Sequence, residues 1–127
     1  MEFRENALVI IKSVADQILA APFENQEFYK EWLAQTYYFV RFSTPMLALS
    51  AGRAVNQREY HYRCIAHLAE EKGHERMLLN DLKQFGSNIA DFEELPAASA
   101  LYQTQFYWIE HVGPTSFLGY ILLLEGI

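Results

Sequence analysis

Cysteine is almost missing from this chain of 127 residues: Cys64 stands alone, so no internal disulfide can stabilise the fold. Basic residues are scarce as well. Ten Lys and Arg against sixteen Asp and Glu leave a formal net charge of -6 and a pI of about 5.1. That is the wrong sign for tracking a phosphate backbone or an anionic bilayer, so nucleic acid and membrane are not expected as partners. Long apolar runs are lacking too. The greasiest stretch, Phe117 to Leu124, falls well short of the roughly 18 consecutive apolar residues of a spanning helix. The first residues, Met1 to Asn6, hold no basic region leading into an apolar leader core, and the chain is expected to be cytoplasmic. Low-complexity runs, internal repeats and a linker-like shift in composition are equally missing. What remains is 51% hydrophobic, 15% aromatic and 20% charged, the make-up of one compact domain spanning 1-127.

The apolar spacing is helical nearly throughout, and no alternating run is long enough for a strand. Leu8, Ile11, Val14, Ala15, Ile18 and Leu19 predict a first helix ending near Ala21-Pro22. Asn25 is placed to cap a second, whose aromatic face Tyr29, Trp32, Thr36 and Phe39 continues past a kink at Pro45 to about Ala54. A third is expected from about Gln57 to Phe85, closed by Gly86. A fourth covers about Ala98 to His111, and a fifth follows Gly113-Pro114 with Thr115 or Ser116 as cap. The expected class is all-α, a bundle of about five helices.

Chemistry concentrates on the third helix. At about 100° per residue, Tyr60, Cys64, His67, Glu71, His74, Leu78, Leu82 and Phe85 share one stripe. Tyr62, Arg76 and Asn80 lie opposite. With the apolar end of the stripe in the core, His67, Glu71 and His74 are carried inward, where unpaired charge is costly. Glu71 and His74 have the Glu-x-x-His spacing that lets a carboxylate and an imidazole reach one metal or bridge two. The alternative is ordinary hydrogen bonding or solvation; His67 could be a ligand, an outer donor or a core histidine, and Glu70 lies a quarter turn from Glu71 as its substitute. Cys64 fits a small buried residue better than a nucleophile. Glu125 ends a run apolar on nearly every side and is the natural companion to Glu71 and His74, unless the helix end simply reaches water.

Taken together, His67-Leu68-Ala69-Glu70-Glu71-Lys72-Gly73-His74, Leu78-Leu79-Asn80-Asp81-Leu82, Phe85-Gly86, Leu118-Gly119-Tyr120 and Leu123-Leu124-Glu125-Gly126 resemble the heme-oxygenase-like helical superfamily. The nearest likeness is to its di-iron oxidases, the iron-containing redox enzymes related to thiaminase II and pyrroloquinoline quinone synthase. Trp32 to Phe39 is similar to the superfamily's second helix. In such enzymes a Glu and a His from one helix, a Glu from a later helix and a downstream His, Asp, His cluster hold two irons that activate dioxygen. Glu71, His74 and Glu125 match the first three positions; the downstream cluster is lacking in this chain.

The resemblance therefore implies a metal-dependent, non-heme iron oxidoreductase, with manganese as the substitute metal, acting on a small organic molecule. Trp32, Tyr38, Phe39 and Phe106 are expected to shape the substrate pocket. Heme is not expected, since no histidine precedes His61 to act as proximal ligand. Three ligands are too few for two irons, which points to the N-terminal part of a longer enzyme holding at most an open single-metal site. Uncovered apolar faces would then drive homodimers or larger oligomers. Two rival readings are a non-catalytic helical interaction or assembly module and a thiaminase-like hydrolase.

Overall fold

The computed structural model describes residues 2-126, and among them every regular element is helical. The helices are α1 (Glu2–Leu19), α2 (Gln26–Val40), α3 (Ser43–Arg53), α4 (Arg58–Glu71), α5 (His74–Gln84), α6 (Pro96–His111) and α7 (Leu118–Gly126). Short 3-10 turns lie at Ile89–Asp91 and Pro114–Phe117. The all-α class holds, and the five expected helical stretches are all present. Two of them are interrupted.

The first interruption lies at Arg41-Phe42. Pro45 occupies the first turn of α3, where it lacks an N–H and its ring crowds the carbonyl of residue 41, so the expected kink becomes a break. The second lies at Lys72-Gly73. Gly73 adopts φ 91°, a left-handed conformation that ends α4 as a helix-stopping glycine, and α5 starts at the next residue. The expectation of one helix from Gln57 to Phe85 is corrected here.

These breaks let one pair of rods serve two cores. α3 packs on α4, and α2 packs on α5. In the larger core Met46, Leu47, Cys64, Ile109 and Phe117 are almost completely buried. In the smaller one Leu82 of α5 is sealed against Leu33 and Ala34 of α2, with Leu78 and Tyr29 beside them. The two breaks adjoin: Val40 and Ser43, which flank the first, line the same cavity as Glu71, just before the second.

Capping follows the chain's local chemistry in part. The Asn25 side chain accepts from the N–H of Phe28 at 3.1 Å. After α5, Gly86 at φ 72° closes a Schellman motif, with Ser87 N–H donating to Leu82 and Gly86 N–H to Lys83. Neither Thr115 nor Ser116 caps α7 as expected. Ser116 donates its hydroxyl backward to the Gly113 carbonyl at 2.6 Å, and the 3-10 turn feeds α7 instead.

α7 is not buried all round. Tyr120 faces the core, as does Phe117 just before the helix, while Leu118, Leu122 and Leu124 are between 36% and 44% exposed. α1 has no buried residue at all, and its main contact is with α7. None of the described helices is long and apolar enough to cross a membrane.

Candidate metal centre

Three hydroxyl and carbonyl groups fix the start of α7. Ser50, fully buried in α3, and Tyr60 of α4 place their hydroxyl oxygens 2.6 Å apart, and each lies within hydrogen-bond reach of the Pro114 carbonyl, at 2.8 and 2.9 Å, so two hydroxyl hydrogens are shared among three contacts. Burial pushes the Tyr60 hydroxyl up to about 12, against the Ser50 hydrogen bond that lowers it. The knot ties α3 and α4 to the 3-10 turn. Phe117 then inserts into the core and stacks on Tyr120 with ring centres 5.5 Å apart. α7 therefore runs past the end of α4, and its last turn delivers Glu125.

His67 and Glu71 lie one turn apart on the inward side of α4, their side chains 17% and 24% exposed. His67 Nε2 is 2.7 Å from Glu125 Oε1 and 3.6 Å from Glu71 Oε1. One donor atom from each residue falls within 4.8 Å of the other two. Donors at ~2.1 Å from a shared ion stand about 3 Å apart when adjacent and about 4 Å apart when opposite, so small side-chain rotations bring this set to a common centre. One imidazole and two carboxylates suit ferrous or manganous ion in donor type. Glu71 keeps a second contact: its Oε2 lies 3.2 Å from His74 Nδ1.

His74 departs from the expected stripe. The Gly73 break turns it outward, half exposed, at the first position of α5. It meets the cluster through Glu71 rather than directly. Glu70 is exposed and, among the described residues, forms no ion pair. Glu125 is 56% exposed, so it lies at the mouth of the site rather than in its interior.

The cluster rims a cavity of about 210 Å³ whose other walls are Val40, Ser43, Leu47, Phe117, Tyr120, Ile121 and Leu124. The four aromatic residues expected to shape a pocket are not gathered there. Trp32 packs edge-on against Phe23 and stacks on Tyr29. Tyr38 donates its hydroxyl to the Phe92 carbonyl at 2.6 Å, fastening the loop before α6 together with the Arg41–Glu94 ion pair at 2.9 Å. Phe39 and Phe106 pack against the larger core from α2 and α6. Phe117 and Tyr120 take the wall positions instead; their signal in the sequence was a three-residue spacing from the end of the 3-10 turn into α7, hidden because that stretch is apolar on nearly every side. Cys64 is 2% exposed within the larger core, a poor position for a nucleophile.

No protein-family model, no curated protein and no solved structure matches this chain.

Proposed function

We propose that this chain binds metal as a non-heme iron oxidoreductase of the heme-oxygenase-like di-iron type, acting on a small apolar organic molecule. One observation carries the proposal: His67, Glu71 and Glu125, drawn from two helices far apart in the chain, converge at the rim of an apolar cavity. His67 supplies an imidazole, and Glu71 and Glu125 supply carboxylates. His74 holds the second oxygen of Glu71 and so orients its first. Leu47, Phe117 and Ile121 present an apolar surface beside the donors, which excludes water from a bound substrate. A ferrous ion in this place would supply one-electron chemistry with dioxygen, and manganese is the alternative occupant. With three protein donors, a single copy offers an open site for one ion.

Anaerobic titration with ferrous ion tests the reading. One equivalent bound per chain, followed by dioxygen uptake on admission of air, is the expected result. Binding no stronger than that of an unrelated acidic protein would remove it.

The exposed face of α1 favours self-association in addition. Phe3, Leu8, Val9, Ile10 and Leu19 are each more than half exposed. The run Ala7 to Ile11 holds no charge, whereas Glu5 precedes it and Lys12 follows. An antiparallel, two-fold pairing of this helix between two copies would bury the run and set Glu5 of one against Lys12 of the other. Sedimentation at micromolar concentration is expected to give a dimer, and Val9→Glu a monomer. A monomeric wild-type chain would refute self-association while leaving the metal site untouched.

A further inference from the structure

Little holds α1 to the rest of the chain. It has no buried residue, its main contact is α7, and among the described residues its only side-chain hydrogen bond, Lys12 to Asp16 at 2.7 Å, stays within the helix. The seam between α1 and α7 is not closed. A cleft of about 290 Å³ lies there, with Phe3, Ala7 and Ile11 of α1 on one side and Gly119, Leu122 and Leu123 of α7 on the other. Asn6 is the one polar residue that lines it, and no charged residue does. The cleft shares no residue with the cavity at His67, Glu71 and Glu125.

Gly119 is the feature of this seam that packing leaves unexplained. Its φ lies outside the left-handed region, and a Cβ built on it would meet no atom within 4 Å, so neither the backbone nor a close neighbour requires glycine. Within a helix, glycine gives up stability relative to alanine or leucine. What its missing side chain leaves is space. Size and charge define what that space can take. The volume stands at the lower edge of the ~300–1,000 Å³ typical of small-molecule sites, which suits one ring or a short chain. An α-helix is ~10–12 Å across with its side chains, so a partner's helix could lie over the cleft but not enter it. The uncharged walls offer nothing to balance an ionic guest, which would lose part of its water without return.

We propose that the α1–α7 cleft is a second binding site, for a small, uncharged, apolar molecule, and that this guest fastens α1 to α7. The site is separate from the metal centre and needs no metal.

The test titrates toluene into the metal-free protein, with benzoate and benzylammonium as charged controls that carry the same ring. Methyl shifts of Ile10, Ile11 and Leu123 are expected to saturate with toluene, ahead of those of Leu47 in the other cavity. Both ions should bind at least ~10-fold more weakly. With toluene at about ten times its Kd, amide exchange through opening of α1 should slow about tenfold. Gly119→Leu should lose at least ~10-fold in toluene affinity, and Ala7→Leu, which narrows the cleft from the α1 side, should repeat the loss even if the first variant fails to fold. Val9→Glu should bind toluene as wild type does, because Val9 does not line the cleft. The proposal is overturned by no saturable shift, by shifts at Leu47 alone, by equal affinity for toluene and benzoate, by unslowed exchange in α1, or by full affinity in Ala7→Leu. Toluene binding that appears only in Val9→Glu would overturn it too, since a second copy would then be the occupant.

Discussion

Replacing His67 and Glu71 together by alanine is expected to weaken ferrous-ion binding at least ~100-fold, the largest effect on the site that any local change should produce. Two of the three converging donors are lost, and Glu125, 56% exposed, cannot hold an ion alone. The fold should survive, because both side chains are in part open to water and neither belongs to the larger or the smaller core. Three single variants resolve the roles. Glu70→Ala should bind as wild type, since that side chain is exposed outside the cluster. His74→Ala should lose about tenfold, the usual effect of removing an orienting partner of a ligand. Glu71→Ala alone should lose more than either. Competition against a colorimetric chelator under anaerobic conditions measures all of these. Equal losses in Glu70→Ala and Glu71→Ala would move the carboxylate a quarter turn around α4 and dissolve the geometric argument.

Phe117→Ala should destabilise the protein by about 3–5 kcal/mol, a large share of the ~5–15 kcal/mol that holds a typical domain together. Phe117 is 2% exposed, packs within the larger core and stacks on Tyr120. Its removal leaves a void at the point where the 3-10 turn enters α7, three residues after the Pro114 carbonyl of the Ser50–Tyr60–Pro114 knot. A second consequence separates this residue from other core positions. Because α7 delivers Glu125, loosening its start should also weaken ferrous-ion binding, although no donor has been altered. Leu82→Ala, in the smaller core, should lower stability without that second effect. Urea unfolding, with the midpoint shifted and the slope unchanged, gives the first quantity, and the chelator competition gives the second. A shift of less than about 1 kcal/mol would show that the core does not depend on this ring.

Much of the fold was legible from local chemistry. Asn25 caps α2, Gly86 closes α5, and Pro45 disrupts the rod that contains it, all for reasons confined to a few neighbouring residues. The register of α4 was legible as well: Cys64, His67 and Glu71 face inward, and Tyr62 faces water. The break at Gly73 was not, because a glycine within a helical pattern costs only ~1 kcal/mol, and whether the helix passes through it is decided by packing at long range. Here the chain turns at Gly73, and Leu82 beyond the turn is sealed against α2. The same turn moved His74 out of the stripe and left His67, rather than His74, in direct reach of Glu125. The aromatic residues of α2 and α6 failed as pocket markers for a related reason. Periodicity gives the face on which Trp32 or Phe39 lies, and the partner of that face is set by elements distant in sequence.

The break at Gly73 also has an electrical side. α4 ends on Glu70 and Glu71, with no basic residue in its last turn. Its aligned peptide dipoles leave about half a negative elementary charge at that end, where an added carboxylate is unfavourable by ~0.3–1 kcal/mol. Glu125 brings a further negative group to the same spot from α7. A continuous helix through residue 73 would have spread those dipoles down to Gln84. By stopping at Glu71, the chain collects carbonyl dipoles and carboxylates into one electronegative focus, so the last turn of α4 is the segment whose own helicity gains most from a cation placed beside it.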